Sequence, residues 1–220
     1  MTTQQTPGGT APQADIVDLL AGIAPGSRLD AVRAQRPQAR ENAQRSFAAL
    51  LEPAEPGAFP LGERYAVAAF VADLHGFDRA AEFYADLLAD EDPALVGVVA
   101  AAAADGASSG PYGVYREPGL ARESASGPAW SAPADDLGPR LAAAFTHAHL
   151  LVFRPREASA AAIRALVEAG WSADDIVTLS QLVSFLSFQL RLAWGLRALD
   201  QNPATGHETA GSATTEGAVR

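Results

Sequence analysis

Residues 61–88, LGERYAVAAFVADLHGFDRAAEFYADLL, constrain this chain more than any other stretch. Tyr65, Ala68, Ala69 and Ala72 recur at helical spacing, and Val67, Phe70, Val71 and Leu74 fill the sides between them. A helix apolar on every side belongs in a core. Gly76 suits the left-handed conformation that ends such a helix. The period then restarts with Phe77, Ala80, Ala81, Tyr84 and Leu88, so a second helix follows directly. Two helices meeting at a buried glycine corner predict an all-α fold.

Leu61, Glu63, Arg64, Leu74 and Gly76 make an L-x-x-E-R opening, an apolar helix and a Leu-x-Gly corner. This pattern resembles the carboxymuconolactone decarboxylase and alkylhydroperoxidase D superfamily, most closely its peroxidase-related branch. Two further segments match. Arg40, Glu41, Asn42 and Gln44 resemble a cysteine-free subfamily, although by themselves they read as a solvated helix face; Arg191, Gly195 and Leu196 resemble the Arg-x-x-x-Gly-Leu end of the branch's last helix. The resemblance implies an alkylhydroperoxidase D-like helical fold and a homo-oligomer.

In the redox-active members the corner leads into Cys-x-x-Cys-x-x-x-His, with a glutamate upstream, so that thiols and imidazole share one helix face near a thiolate-favouring N-terminus. The same resemblance puts Phe77 and Ala80 at the cysteine positions here, Tyr84 at the histidine and Tyr65 at the glutamate. All four depart. The chain contains no cysteine at all, which excludes a thiol peroxidase mechanism for this protein acting alone.

With 220 residues and 48% apolar composition the chain is expected to form one domain over residues 15–200, with about eight helices. The polar segments 1–14 and 201–220 are expected to be disordered. Residues 106–139 are rich in Gly, Pro and Ser but hold Tyr112, Tyr115 and Trp130. Aromatics of that size predict an ordered loop laid on the body or on a neighbouring subunit.

A net charge of -10 argues against nucleic-acid or anionic-membrane surfaces. All 16 basic residues are arginine, which together with the abundant alanine reads as a GC-rich bacterial coding bias. The N-terminal segment lacks a secretory pattern, and the apolar run at 94–104 is too short to span a bilayer, so a cytoplasmic protein is expected.

The last helix is apolar over most of its circumference through Leu179, Leu182, Val183, Phe185, Leu186, Leu190 and Trp194, interrupted by a stripe of Ser180, Ser184, Ser187 and Arg191. Two expectations follow. Either Arg191 is buried and pairs with a structural acid such as Glu63 or Asp73, or Arg191, Tyr65, His75 and Tyr84 line a polar pocket for an anionic ligand, with acid/base chemistry from His75 and the tyrosines. His147 and His149, two apart on a helix, point to opposite faces and read as one core and one surface histidine, with no metal site. No cofactor motif is present. The chain thus reads either as a non-redox oligomeric subunit, partnering a cysteine-bearing alkylhydroperoxidase-like protein, or as a cofactor-free enzyme for a small carboxylated or lactone substrate.

Overall fold

The apolar stretch at the centre of the sequence forms the helix on which the others pack. The computed structural model describes residues 15–202. In chain order its helices are α1 (Ile16–Ala21), α2 (Arg28–Ala34), α3 (Pro37–Leu51), α4 (Leu61–Leu74), α5 (Asp78–Glu91), α6 (Pro93–Asp105), α7 (Ala134–Phe153), α8 (Ala160–Glu168) and α9 (Ala173–Gln201). Eight of them have seven residues or more, and there is no strand among the described residues. The segment 1–14 and most of 201–220, expected to be disordered, lie outside the described residues.

Every residue of α4 from Arg64 to Ala72 is buried, and α5, α6, α7 and α9 all pack on it. Gly76, at φ 62°, makes the predicted corner in the left-handed region that only glycine enters without strain. Glu63 and Arg64, part of the recognisable motif, serve as staples. The Arg64 guanidinium is buried and donates to the backbone carbonyls of Phe59 (2.7 Å), Leu50 (2.6 Å) and Pro56 (3.3 Å), fixing the α3–α4 linker. Glu63 accepts from Arg140 at 3.2 Å, and Arg140 also donates to the carbonyls of Gly170 and Ala58 while stacking over Trp171. One residue pair therefore ties α4, α7 and the turn before α9 together.

The long loop is ordered and ends earlier than its composition implies. Helix α7 begins at Ala134 and kinks at Gly138, φ 72°, just before Pro139; the Gly-Pro pair that reads as loop lies inside the helical segment. Within the loop, Trp130 stacks on Phe70 with centroids 5.5 Å apart and donates to Asp105 at 2.7 Å. Arg156 covers the Tyr115 ring at 3.8 Å. The Tyr112 ring lies so close to Gly127 that a Cβ there would sit 2.1 Å from it, so this position excludes any side chain.

The Arg40 segment is solvated on one side only: Glu41 and Asn42 are exposed, whereas Arg40 and Gln44 turn towards α1. Arg40 and Arg33 grip Asp15 and Asp18 of α1, with Arg33 2.6 Å from Asp15 and Arg40 2.9 Å from Asp30, and Gln44 accepts the Ile16 N–H at 2.9 Å. Burial pushes the Asp15 carboxyl up, but the Arg33 hydrogen bond, the Asp18 N–H and the charges of Arg33 and Arg40 outweigh it and hold the carboxyl below its ordinary range. A depressed folded-state pKa contributes stability above the unfolded-state value and loses it as pH falls through the folded one. Acidification below about pH 4 is therefore expected to release α1 before the core opens. Hydrogen exchange would show α1 amides losing protection at pH 3 while α4 amides keep theirs; simultaneous loss would contradict the clamp.

Helix α9, with 29 residues, is the one described helix long and apolar enough to cross a membrane. Its Leu179, Leu182, Leu186, Leu190 and Ala193 are instead buried against α1, α3, α4, α7 and α8, which is the environment of a core helix.

Candidate functional site

The four expected site residues do not converge. Tyr84, on α5, is fully buried, and its hydroxyl donates to Gln189 Oε1 of α9 at 2.5 Å. Burial, the largest influence, pushes its phenol far up, so it stays protonated and acts as a donor. Tyr65 is also buried on α4; burial and then the carboxylates of Glu52 and Glu91 push its phenol up, which places it towards α3 and α5. The positions that the resemblance assigns to redox chemistry are thus packed as core: Ala80 and Tyr84 fully, Phe77 and Tyr65 nearly so.

His75 and Arg191 do come together. With Phe77, Leu190 and Trp194 they line an open pocket of about 270 Å³ where the α4–α5 corner meets α9. His75 Nδ1 lies 2.8 Å from the Val71 carbonyl. A carbonyl only accepts, so Nδ1 carries the proton and Nε2 holds a lone pair in the neutral ring. Burial first, and the Arg191 charge after it, outweigh the Val71 bond and lower the imidazole pKa; the ring is neutral at pH 7. Nε2 is closed off from solvent and has no partner.

Arg191 overturns the expectation of a buried, paired cation. It is exposed, and no ion pair involves it among the described residues. Glu63 is taken by Arg140, and Asp73 is itself exposed. The physical reason is that α9 is two-faced. The serine stripe does not cross the core but runs along the outside, where Ser180 and Ser184 donate to the carbonyls of Ile176 and Ser180 at 2.8 Å.

The histidine pair is corrected too: both are buried. His147 Nε2 lies 3.1 Å from Ser180 Oγ and His149 Nε2 2.9 Å from the Gly106 carbonyl, and the loop's Trp130 packs on His149. The loop covers the face that a bare helical projection leaves in solvent. Among the described residues no group of three or more His, Cys, Asp or Glu could hold a metal ion.

The outer face of α8 and α9 presents a different kind of site. Among the described residues, six of the ten exposed large apolar side chains, Ile163, Val167, Val177, Phe188, Trp194 and Leu199, stand on these two neighbouring helices; Val177, Phe188 and Trp194 are 56%, 52% and 61% exposed. Beside them Ser46, Ala49 and Leu50 of α3 and Ile163 and Val167 of α8 flank an apolar groove of about 1080 Å³ along the N-terminal half of α9. The apolar last helix suggests a core or an oligomer contact from its sequence alone, but periodicity does not say which apolar side faces inward. Sequence reasoning missed Gln189, whose only signal is a lone amide between Phe188 and Leu190.

This helical arrangement is that of the alkylhydroperoxidase AhpD-like proteins. It is similar to the crystal structure titled alkylhydroperoxidase AhpD core, an uncharacterized peroxidase-related protein from Ralstonia eutropha JMP134, with a TM-score of 0.52 at 17% identity, covering 74% of this chain and 71% of that one. At that identity the likeness carries the fold and no activity. No protein-family model and no curated protein matches the chain.

Proposed function

We propose that this chain is a non-redox subunit of an oligomer built on the AhpD-like scaffold, with the outer face of α8 and α9 as its assembly surface. The exposed side chains of Ile163, Val167, Val177 and Phe188, which share one apolar groove, carry the proposal, because contiguous apolar patches of this kind mark interaction sites. The core packing of Tyr65, Phe77, Ala80 and Tyr84 supports the non-redox half. A second copy is one occupant of the face, and a cysteine-bearing alkylhydroperoxidase-like protein is the other. Light scattering over a dilution series tests it: the expected result is a mass at least twice the 22.8 kDa of the chain, and a monomer at all concentrations, with or without such a protein added, contradicts it.

The pocket at His75 and Arg191 favours a second reading, a cofactor-free enzyme for a small carboxylated or lactone substrate. Arg191 would grip the carboxylate and His75 Nε2 would accept a proton. Because Nε2 is closed to solvent, a ligand reaches it only when a neighbouring side chain of the pocket moves. Tyr65 and Tyr84 have no part in it. Titration with benzoate, followed by Trp194 fluorescence, is expected to saturate in the wild type and not in Arg191→Gln. An unresponsive wild type removes this reading.

A further inference from the structure

We propose that α9 pairs antiparallel with α9 of a second copy of this chain across a two-fold axis. The proposal rests on the interface reading above and specifies which occupant covers the face and in what register. The exposed residues Val177, Gln181, Ser184, Phe188, Arg191 and Gly195 follow one another in alternating steps of four and three along α9. That spacing is the seam of a two-helix coiled coil, here on the side of α9 facing away from its own core.

An antiparallel pairing that sets four-step positions against three-step positions has one register centred on this seam, and in that register the residues complement one another. Phe188 lies over the partner's Ser184, a large side chain over a small one. Gln181 meets the partner's Arg191, an amide carbonyl beside a guanidinium that has no ion-pair partner among the described residues. Val177 meets the partner's Gly195, where the missing side chain leaves room. At the ends, the acidic first turn with Asp174 and Asp175 lies at the opposite end of the pair from its partner's. Each relation occurs twice by symmetry, as an isologous interface requires. A parallel pairing would instead set Arg191 against Arg191 and acid against acid.

The surface around the seam fits the same arrangement. The N-terminal half of α9 floors the groove between α3 and α8, which Phe188 closes at one end, and Trp194 and Leu199 are exposed on the C-terminal half. Antiparallel pairing lays the C-terminal half of each copy against the groove of the other. The segments outside the described residues make poor substitutes: Met1 is the one large apolar residue in 1–14, and Val219 the one in 203–220.

The chain has no cysteine, so a disulfide reports only on introduced thiols. Oxidation of the double variant Gln181→Cys/Arg191→Cys is expected to convert most of the chain into covalently linked pairs of twice the mass. Either single variant is expected to remain unlinked, since like positions in the two copies are separated by roughly 15 Å of helix, beyond disulfide reach. As a second measurement without thiols, Gln181→Arg, which sets two guanidinium groups side by side, should weaken self-association at least tenfold, and adding Arg191→Gln should restore it. An oligomer by light scattering that neither links nor shows this rescue overturns the antiparallel register and leaves the interface reading standing. A wild-type monomer overturns both.

Discussion

Tyr84→Ala is expected to destabilise the protein by about 3–5 kcal/mol, the usual cost of truncating a fully buried aromatic residue. Two contributions combine: a cavity between α5 and α9, and a Gln189 side chain left with neither end bonded, since its Nε2 already lacks a partner. The two can be separated. Tyr84→Phe keeps the ring and strands the Gln189 carbonyl oxygen, at a cost of about 1–3 kcal/mol. Tyr84→Phe/Gln189→Leu removes both polar partners and should come back to within about 1 kcal/mol of the wild type, because replacing both ends of a buried hydrogen bond is far less costly than removing one. Chemical unfolding at fixed protein concentration measures all three. If Tyr84→Ala costs less than about 1 kcal/mol, Tyr84 is not the core fixture that its burial indicates.

Phe188→Asp is expected to abolish self-association while leaving the fold intact. In the single chain the side chain is more than half exposed, so the substitution should change stability by no more than about 0.5 kcal/mol. In the assembly it would replace an aromatic ring over the partner's Ser184 with a carboxylate, whose neighbouring cation is Arg191 one turn along the same helix. Losing a central aromatic contact and desolvating a charged group in its place should cost about 3 kcal/mol or more, over 100-fold in the dissociation constant. Sedimentation velocity with circular dichroism as a fold control separates the outcomes. A variant that is folded and still oligomeric would remove Phe188 from the interface.

Much of the scaffold was legible in the residues. The period of 61–74 and the glycine after it located α4 and the corner, because a helix apolar on all sides has nowhere to go but the core. The mismatch of Tyr65, Phe77, Ala80 and Tyr84 with the redox pattern needed only chemistry to interpret. The rest required three dimensions. Arg191 looked buried because its helix is apolar all round, yet hydrophobicity alone does not distinguish a face sealed by α4 and α7 from one left exposed in the single chain. Arg40 looked solvated because its carboxylate partners, Asp15, Asp18 and Asp30, lie on two other helices. One of the two histidines looked exposed because the residue that covers His149, Trp130, sits in a loop with no period to read.

The assembly surface is tested most directly by hydroxyl-radical footprinting of the wild-type protein at concentrations where it associates, with Phe188→Asp alongside. Trp194 and Phe188 are expected to be strongly protected in the wild type, whereas Val114, 71% exposed on the loop, is labelled freely, and Trp194 should become as reactive as a free side chain in the variant. Trp194 and Phe188 labelled in the wild type at the rates of solvent-exposed side chains would mean that the face of α8 and α9 is left uncovered, contradicting its role as the interface.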